Sequence, residues 1–400
     1  MLSRLFVTAM PSSVTPSVWD IFCTVIDNYG DVGVCWRLAR QLVVEHKFTV
    51  RLWVDDLAAF QRICREIDPL LARQNVSGVD VCHWEIAFPD VEPGDVVIEA
   101  FACHLPESFE AAMAECNPVP RWINLDYLSA EDWVTGCHAL PSPHPRLPLT
   151  KYFFFPGFNE ATGGLLREHD LAKRRESFCA SGEQQADFWR RIGQSLPAAN
   201  SLLISLFAYE NPALTDFLEI WANGQEPICC LAPATRTLPA IEAFVGRPLK
   251  TGDVVQRGNL EIRVLPFVSQ TDYDHLLWLC DLNFVRGEDS FVRAQWAAKP
   301  MVWHIYPQEE EAHRVKLIAF LDLYCSGLSD EAANAFRQLT MAWNSGKAAD
   351  QISPGGLAKL WANWQHNFPD LQKHAASWEK IRSKQEDLCS SLVRFSRSTL

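Results

Sequence analysis

The stretch WDIFCTVIDNYGDVGVCWRL, residues 19–38, decides the fold class of this 400-residue chain. Its first half is a continuous apolar run, which is typical of a strand buried on both faces of a parallel sheet. Its second half places Val34, Leu38 and Leu42 on one face of a helix. In an α/β sheet the loop that follows such a strand faces the ligand crevice. We therefore predict that the turn between this strand and this helix lines a binding site.

The turn combines two glycines with two acids. Gly30 and Gly33 allow the backbone to turn tightly and to approach another molecule closely. Asp27 and Asp31 would then hold two carboxylates at the mouth of the crevice. A structural interpretation stays open, in which Asp31 caps the helix and Asp27 ends the strand. The turn lacks the G-x-G-x-x-G spacing, which weakens any claim of dinucleotide binding.

The composition excludes several function classes. No apolar run approaches the roughly 18 residues that span a bilayer, so we expect no membrane partner. The net charge of −13 argues against nucleic acid as a partner. The 13 cysteines contain no Cys-x-x-Cys pair, so we expect reduced thiols, a cytoplasmic location and no structural metal.

Strand-like and helix-like segments alternate along the chain, which predicts parallel sheets. The alternation breaks at the linker-like Ser195–Asn200 and restarts with the apolar segment Ser201–Phe207. The simplest architecture is two successive α/β domains with a cleft between them. The predicted units are an N-terminal extension at residues 1–17, a first domain at 18–197, a second domain at 198–374, and a C-terminal helix at 375–400 that joins the first domain.

Three local expectations accompany this division. Residues 56–74 and 106–116 are predicted helices. The segment Pro141–Pro156 is rich in proline and histidine and is predicted to be an ordered loop. Residues 1–17 are predicted to form a loose extension, within which Met10 is an alternative start.

A second strand–helix junction lies at Arg286–Ser290. An arginine beside the N-terminus of a helix is suited to bind a phosphate or diphosphate. We predict that Asp289 or Ser290 is the N-cap of this helix. The alternative is a capped helix whose acids only satisfy its own dipole.

The segment upstream of this junction can hold a flat base. Phe267 and Tyr273 can stack on such a base and Gln270 can hydrogen-bond its edge, although each aromatic alone is also a reasonable core residue. The triplet Asp272-Tyr273-Asp274 matches the D-x-D pattern of metal-using sugar transferases. We interpret these acids instead as the first turn of a helix, where they complement its dipole.

Several long motifs of the chain resemble one protein family. They are WDIFC at 19–23, DNYGDVG at 27–33, WRLAR at 36–40, RGEDSFVRAQW at 286–296 and MVWHIYPQ at 301–308. These motifs are similar to those of the EarP family, the bacterial arginine rhamnosyltransferases of elongation factor P (EF-P). The resemblance runs from about Val18 to the C-terminus.

The resemblance implies a GT-B glycosyltransferase fold, an α/β fold in which two Rossmann-like domains face each other across a cleft. The first domain would bind the acceptor and the second the nucleotide sugar. The implied reaction is an inverting transfer of L-rhamnose from dTDP-β-L-rhamnose to an arginine side chain of EF-P, which activates EF-P to rescue ribosomes stalled at polyproline. The implied enzyme uses no cofactor and no metal.

The resemblance also implies roles for individual residues. Asp27 and Asp31 look like the catalytic aspartates on the acceptor side, and we expect Asp31 to be the base and Asp27 to orient the guanidinium. Their loop also contains Asn28, Tyr29, Gly30 and Gly33. The implied donor-binding residues are Tyr209, Phe267, Gln270, Tyr273, Arg286, Glu288, Asp289, Ser290 and Tyr306.

Two functions from other classes remain as alternatives. The first strand–turn–helix unit is compatible with a nicotinamide-dependent oxidoreductase, although the chain lacks the full glycine fingerprint and a convincing histidine for hydride transfer. The other alternative is a non-catalytic module that only binds EF-P. The two intact loops, one acidic and one suited to anions, argue against it.

Overall fold

A computed structural model of the protein describes residues 17–26, 29–307, 312–345 and 356–398. Residues 1–16, most of the predicted extension, lie outside this range, as does the alternative start at Met10. The described residues contain two sheets that consist mainly of parallel strands, one after the other along the chain.

The first sheet has eight strands within the described part of the chain. They are β1 (Val18–Cys23), β2 (Thr49–Val54), β3 (Arg73–Val76), β4 (Val79–His83), β5 (Val96–Ala100), β6 (Arg121–Leu125), β7 (Pro141–Pro143) and β8 (Thr150–Phe154). Their order across the sheet is β3-β4-β2-β1-β5-β6-β8-β7, and the two edge strands run antiparallel to their neighbours. β1 lies near the centre, where Ile21 pairs with Leu52 on one side and Ile98 on the other. All three side chains are fully buried, as the apolar run predicts.

We call the first sheet with its helices the first unit and the second sheet with its helices the second unit. The helices of the first unit connect and cover its strands. They are α1 (Gly30–His46), α2 (Leu57–Ile63), α3 (Glu107–Glu115), α4 (Trp133–Cys137), α5 (Leu171–Ala180) and α6 (Gly182–Arg191). α1 follows β1 directly, as the strand–turn–helix pattern predicts.

The second sheet has six strands in the order β11-β12-β10-β9-β13-β14. They are β9 (Leu202–Leu206), β10 (Ile228–Pro233), β11 (Val254–Arg257), β12 (Leu260–Leu265), β13 (Leu282–Arg286) and β14 (Met301–His304). Only the edge strand β11 runs antiparallel among these described strands. The helices between them are α7 (Leu214–Asn223), α8 (Leu238–Val245), α9 (Gln270–Leu279) and α10 (Asp289–Ala297).

The remaining helices form the C-terminal part of the chain. They are α11 (Ala312–Cys325), α12 (Asp330–Trp343), α13 (Gly356–His366), α14 (Phe368–Arg382) and α15 (Leu388–Arg397). The last helix returns to the first sheet, where the Phe395 ring lies 5.6 Å from Tyr152 and 5.5 Å from Phe154. Arg121 also donates to the backbone oxygen of Ser398 at 2.8 Å. The exact boundaries between the units stay predictions.

Two local expectations are wrong. The predicted loop at Pro141–Pro156 contains the antiparallel pair β7 and β8, with Pro141 opposite Tyr152. Proline is tolerated there because β7 is an edge strand, where a missing N–H removes no inner hydrogen bond. The helix predicted over 56–74 ends at Ile63, and residues 73–76 form β3 instead.

The architecture confirms the predicted fold class, an α/β chain of GT-B type with two Rossmann-like sheets. α1 of the first unit packs against α10 of the second. The loop after β1 therefore lies beside the junction between β13 and α10, and the two predicted motifs meet.

Candidate functional site

Two adjacent cavities lie at the carboxyl ends of the parallel strands of both sheets. The empty space in the first is about 580 Å³ and in the second about 740 Å³, each including the part that is open to solvent. Gly30, the first residue of α1, lines both cavities, so the turn after β1 is their common wall. Residues that follow the ends of β6, β9, β12 and β14 complete the walls, namely Tyr127, Phe207, Phe267 and Ile305. This is the edge at which α/β sheets bind ligands.

The first cavity is lined mainly by aromatic and apolar side chains. The rings of Tyr29 and Phe267 lie 4.8 Å apart, so one ring comes from each unit. Phe207 and Tyr273 contact edge to face at 5.5 Å on the second unit. Such rings can stack on a planar base. The other lining residues are Gly30, Ile63, Pro233, Val268, Gln270, Arg286, Asp289 and Ser290.

Arg286, the last residue of β13, brings a positive charge to the first cavity. Its guanidinium lies over the rings of Phe207 at 4.5 Å and Tyr209 at 4.8 Å, which restrain its orientation. α10 begins three residues later, and the first N–H groups of a helix have no acceptor within the helix. An arginine and a helix N-terminus at one junction suit an anion such as a diphosphate.

The prediction that Asp289 or Ser290 is the N-cap of α10 is wrong. The helix begins at Asp289, and Glu288 at the N-cap position makes no side-chain capping hydrogen bond. The Ser290 hydroxyl donates to the backbone oxygen of Arg286 and accepts from the Arg286 N–H at 2.9 Å. Ser290 therefore fixes the shape of the junction through contacts within the chain.

The second cavity contains the predicted catalytic carboxylate Asp31. Asp31 lies in the first turn of α1, lines the cavity and is only 2% exposed. Its carboxylate accepts hydrogen bonds from the N–H of Ile26 at 3.0 Å and from the hydroxyl of Tyr127 at 3.3 Å. The N-cap position of α1 is Tyr29, so Asp31 is not the cap of its helix. Asp27 and Asn28 lie outside the described residues.

Glu288 and Lys316 also line the second cavity. The Glu288 carboxylate accepts from the N–H of Leu128 at 2.8 Å and so joins the two units. Burial raises the pKa of Glu288 to about 7, and the negative charges of Asp31 and Asp126 add to this effect. Burial lowers the pKa of Lys316, against the attraction of Glu288 and Asp126. The cavity thus holds a carboxyl group that can gain or lose a proton near neutral pH.

Two predicted donor-binding residues contact the first unit through their side chains. Gln270 donates from Nε2 to the backbone oxygen of Gly33 at 2.9 Å, and its Oε1 accepts from Arg40 at 3.2 Å. Asp289 accepts from Nε of Arg37 at 2.8 Å. Both residues line the first cavity, so its wall is also a contact between the two units.

The other two predicted donor-binding aromatics lie near the second cavity. Tyr306 lines this cavity together with Glu288 and is 40% exposed. Tyr209 is buried behind it, with its ring 5.5 Å from Tyr306 and 5.2 Å from His304. Burial lowers the pKa of His304 to about 3, and the nearby Arg286 adds to this effect. The donor-binding roles of these residues stay predictions.

Sequence reasoning missed Tyr127, Lys316 and Arg37. Tyr127 follows β6 by two residues, and a place just after the carboxyl end of a parallel strand is a usable sequence signal. Arg37 lies within the quoted WRLAR motif but received no role. Lys316 lies on α11, and nothing in its local sequence indicates that its side chain reaches the cavity.

The acids of the triplet Asp272-Tyr273-Asp274 take part in ion pairs. Asp272 lies in the first turn of α9, where its N–H is capped by Ser269, and its carboxylate pairs with Arg191 at 2.7 Å. Asp274 is buried and pairs with Arg293 at 2.7 Å. Within the described ranges, no group of three or more His, Cys, Asp or Glu residues is placed to hold a metal ion. The helices described there are too short or too polar to cross a membrane.

The chain is similar over almost its whole length to one set of known proteins. The family model for elongation factor P (EF-P) rhamnosyltransferase EarP matches residues 19–397. A protein-arginine rhamnosyltransferase of Pseudomonas putida is 51% identical over 385 residues, which are 96% of this chain and 100% of that protein. A protein-arginine rhamnosyltransferase of Pseudomonas aeruginosa is 50% identical over 378 residues, which are 94% of this chain and 98% of that protein.

A solved structure gives the same result. It concerns the structural basis for EarP-mediated arginine glycosylation of translation elongation factor EF-P. It superposes on this chain with a TM-score of 0.68 at 38% sequence identity, and the match covers 96% of this chain and 100% of the solved one.

Proposed function

We propose that this chain, which belongs to the EarP family of elongation factor P rhamnosyltransferases, transfers L-rhamnose from dTDP-β-L-rhamnose to an arginine side chain of EF-P. The product would be EF-P that is active on ribosomes stalled at polyproline. Membership of a glycosyltransferase family sets aside the oxidoreductase alternative. One observation carries the proposal: an aromatic cavity with an arginine and an acidic cavity share a wall at Gly30.

The first cavity is suited to the dTDP part of the donor. Phe267 and Tyr273 offer rings for the thymine base, and the lining is otherwise largely apolar. Arg286 lies in the same cavity, at the N-terminal end of α10, where the diphosphate would find a fork of N–H donors and a favourable helix dipole. We therefore assign the base to Phe267 and Tyr273 and the diphosphate to Arg286.

The second cavity is suited to the acceptor arginine. An arginine side chain is a poor nucleophile for two reasons. Its pKa lies above ~12, so it is protonated at neutral pH, and the remaining electron density on its nitrogens is delocalised. A carboxylate that faces it can hydrogen-bond its N–H groups and orient one nitrogen. The same carboxylate can accept a proton as the new bond forms. We assign the base to Asp31, which lines this cavity, and the orientation of the guanidinium to Asp27.

The transfer is a single displacement with inversion. The guanidinium nitrogen forms a bond to the anomeric carbon of rhamnose while the bond from that carbon to the diphosphate oxygen breaks. The proton of the attacking nitrogen goes to Asp31, and the electron pair of the broken bond leaves with dTDP. Arg286 and the N–H groups of α10 stabilise the charge that develops on the leaving group, so no metal is needed.

Glu288, which the family resemblance implies to be a donor-binding residue, lies where the donor sugar would meet the acceptor guanidinium. It lines the second cavity with Asp31, and burial raises its pKa to about 7. We therefore assign Glu288 to the rhamnose near the acceptor guanidinium, and not to the thymine base. Its hydrogen bond to the N–H of Leu128 fixes its position against the first unit.

The test compares three acceptors in the presence of dTDP-rhamnose. We expect dTDP release with folded EF-P, and little release with free arginine or with EF-P whose acceptor Arg is replaced by Lys. A folded acceptor fixes the orientation of its arginine and adds binding surface, and an ammonium cannot span two carboxylates as a planar fork does. Equal rates with free arginine would refute the recognition of a protein, and NADH serves as the control for a redox reaction.

A further inference from the structure

A buried ion cluster lies between the two units, behind the first cavity. Arg37 of α1 donates to both carboxylate oxygens of Asp274 on α9, each at 3.1 Å. Arg293 of α10 donates to the same two oxygens, at 2.9 and 2.7 Å. Glu168 completes the cluster, 2.7 Å from Arg293 and 3.7 Å from Arg37. Both arginines and Asp274 are 2% exposed.

The cluster keeps its charges although it is buried. Burial alone would raise the pKa of Asp274, but Arg293 and Arg37 hold it below its usual value. The same two arginines lower the pKa of Glu168 against its burial. A buried ion pair is sensitive to geometry, because a charge that loses its partner keeps the cost of its desolvation. The cluster therefore favours one relative position of α1, α9 and α10.

Arg37 connects this cluster to the lining of the first cavity. Its Nε donates to Asp289 at 2.8 Å, and its Nη2 lies 3.4 Å from the backbone oxygen of Gln270. Asp289 and Gln270 line the first cavity, whereas Arg37 does not. Arg37 therefore contacts the wall of the first cavity, the proposed donor pocket, from the side that faces away from the cavity.

Gly33 shows how closely α1 approaches that pocket. A Cβ atom at this position would lie 3.2 Å from Oδ2 of Asp289 and 3.3 Å from Nε2 of Gln270. The backbone oxygen of Gly33 accepts from that Nε2 at 2.9 Å. Only a residue without a side chain leaves this contact undisturbed.

We propose that Arg37 is a positioning residue for the transfer, which holds Asp31 at a fixed distance from the bound donor. Asp31 and Arg37 belong to the same helix, six residues or about 9 Å apart along its axis. The first turn of this rigid helix carries the base, and its middle is attached through Arg37 to Asp289 and Asp274 of the second unit. The inference rests on the proposed function.

An arginine is required because the contacts are multidentate. The planar fork of Arg37 reaches Asp274 with two nitrogens and Asp289 with the third. A lysine keeps the charge but cannot satisfy both carboxylates in these positions. Arg37→Lys should therefore loosen α1 from the first cavity, whereas Phe267, Tyr273 and Arg286, which are assigned to the base and the diphosphate, all belong to the second unit.

The experiment measures EF-P modification, donor affinity and thermal stability for Arg37→Lys. We expect kcat to fall roughly tenfold to a hundredfold, because small misplacements of reacting groups have effects of this size. The KM for dTDP-rhamnose and the affinity for dTDP should stay near the wild-type values. A larger share of the donor should be lost to hydrolysis, since water can react where the acceptor is misaligned.

Arg51→Lys is the matched control. Arg51 makes a bidentate pair with the buried Asp20 at 2.6 Å, but this pair lies within the first sheet, in the first halves of β1 and β2 and not at the ends that face the cavities. It should lower the melting temperature as Arg37→Lys does, with kcat per folded enzyme unchanged. Equal losses of kcat in the two variants would show that the effect is one of stability and would overturn the proposal.

Gly33→Ala gives a second test that preserves every charge. Alanine favours a helix more than glycine does, so the variant should fold even if Arg37→Lys does not. Its Cβ should shift α1 and the side chains of Asp289 and Gln270 apart by a few tenths of an ångström, and kcat should fall with little change in melting temperature. Wild-type kcat in Gly33→Ala, or in folded Arg37→Lys, would overturn the proposal. If the wild-type enzyme itself transferred no rhamnose, the proposed function would fail instead.

Discussion

The hydroxyl of Tyr127 donates a hydrogen bond to Oδ1 of Asp31 at 3.3 Å, across 96 positions of sequence. Both residues line the acidic cavity. The Tyr127 ring is itself fixed, because it stacks on Phe101 at 4.5 Å and carries the Lys316 ammonium 5.5 Å from its centre. A residue at the end of β6 therefore orients the carboxylate at the start of α1.

This contact predicts the effect of Tyr127→Phe. This hydrogen bond fixes the orientation of the carboxylate, so its loss should let the Asp31 side chain turn. We expect kcat to fall by about tenfold, the effect of one hydrogen bond to a charged group. Unchanged kcat would show that Tyr127 does not act on Asp31.

If the first cavity binds the donor as proposed, Arg286→Ala and Phe267→Ala should each lower the affinity for dTDP. Stacking of a base on an aromatic ring contributes about 1–3 kcal/mol. A hydrogen bond to a charged group contributes about 1.5–3 kcal/mol. Each variant should therefore raise the dTDP dissociation constant roughly tenfold in titration calorimetry. Tyr127→Phe is the control, since Tyr127 lines only the other cavity. If neither variant changed the affinity, the nucleotide would bind elsewhere.

The raised pKa of Glu288 predicts a pH dependence of stability. The folded protein keeps a proton on Glu288 up to about pH 7, whereas the unfolded chain loses it near the ordinary value of 4.5. The protonated Glu288 therefore contributes its full stabilisation of the folded protein below pH 4.5. This stabilisation is lost as the pH rises from 4.5 through 7. Glu288→Gln removes this loss.

Thermal unfolding of the wild type and Glu288→Gln between pH 5 and pH 8 checks the sign. The variant should gain stability relative to the wild type as the pH rises, on the order of 1–3 kcal/mol. A stability difference that is constant over this range would show that Glu288 has an ordinary pKa.

The ion pairs of Asp272 and Asp274 predict activity without a divalent metal. Asp272 pairs with Arg191 and Asp274 with Arg37 and Arg293, so the carboxylates of the D-x-D triplet are already neutralised by arginine. We expect full rhamnosyl transfer in excess EDTA. Loss of transfer in EDTA that added Mg²⁺ or Mn²⁺ restores would refute a reaction that depends only on Arg286 and α10 for the leaving group.

Much of this site could be predicted from the sequence because its residues occur in local patterns. The apolar run of β1 and the helical spacing after it place Asp31 at the carboxyl end of a central strand. The junction after β13 likewise places Arg286 beside a helix N-terminus. In both cases, the position of the motif in an α/β unit is sufficient to predict which edge of the sheet it faces.

The contacts between the units could not be predicted in this way. Gln270 and Asp289 were predicted to bind the donor, and their side chains also bind Gly33 and Arg37 of the first unit. Asp289 and Arg37 are 252 positions apart. Neither composition nor periodicity specifies how one Rossmann-like unit sits on the other. Lys316 was missed for the same reason, because only tertiary packing brings α11 to the acidic cavity.

The intact mass of folded EF-P after incubation with dTDP-rhamnose tests the central claim most directly. Wild-type enzyme should add one rhamnosyl group to the acceptor arginine. Asp31→Asn, which keeps the size of the side chain but removes the base, should add almost none while it still binds dTDP in calorimetry. No added mass with the wild-type enzyme would contradict the proposed function, and near-normal addition by Asp31→Asn would contradict the role of Asp31 as the base.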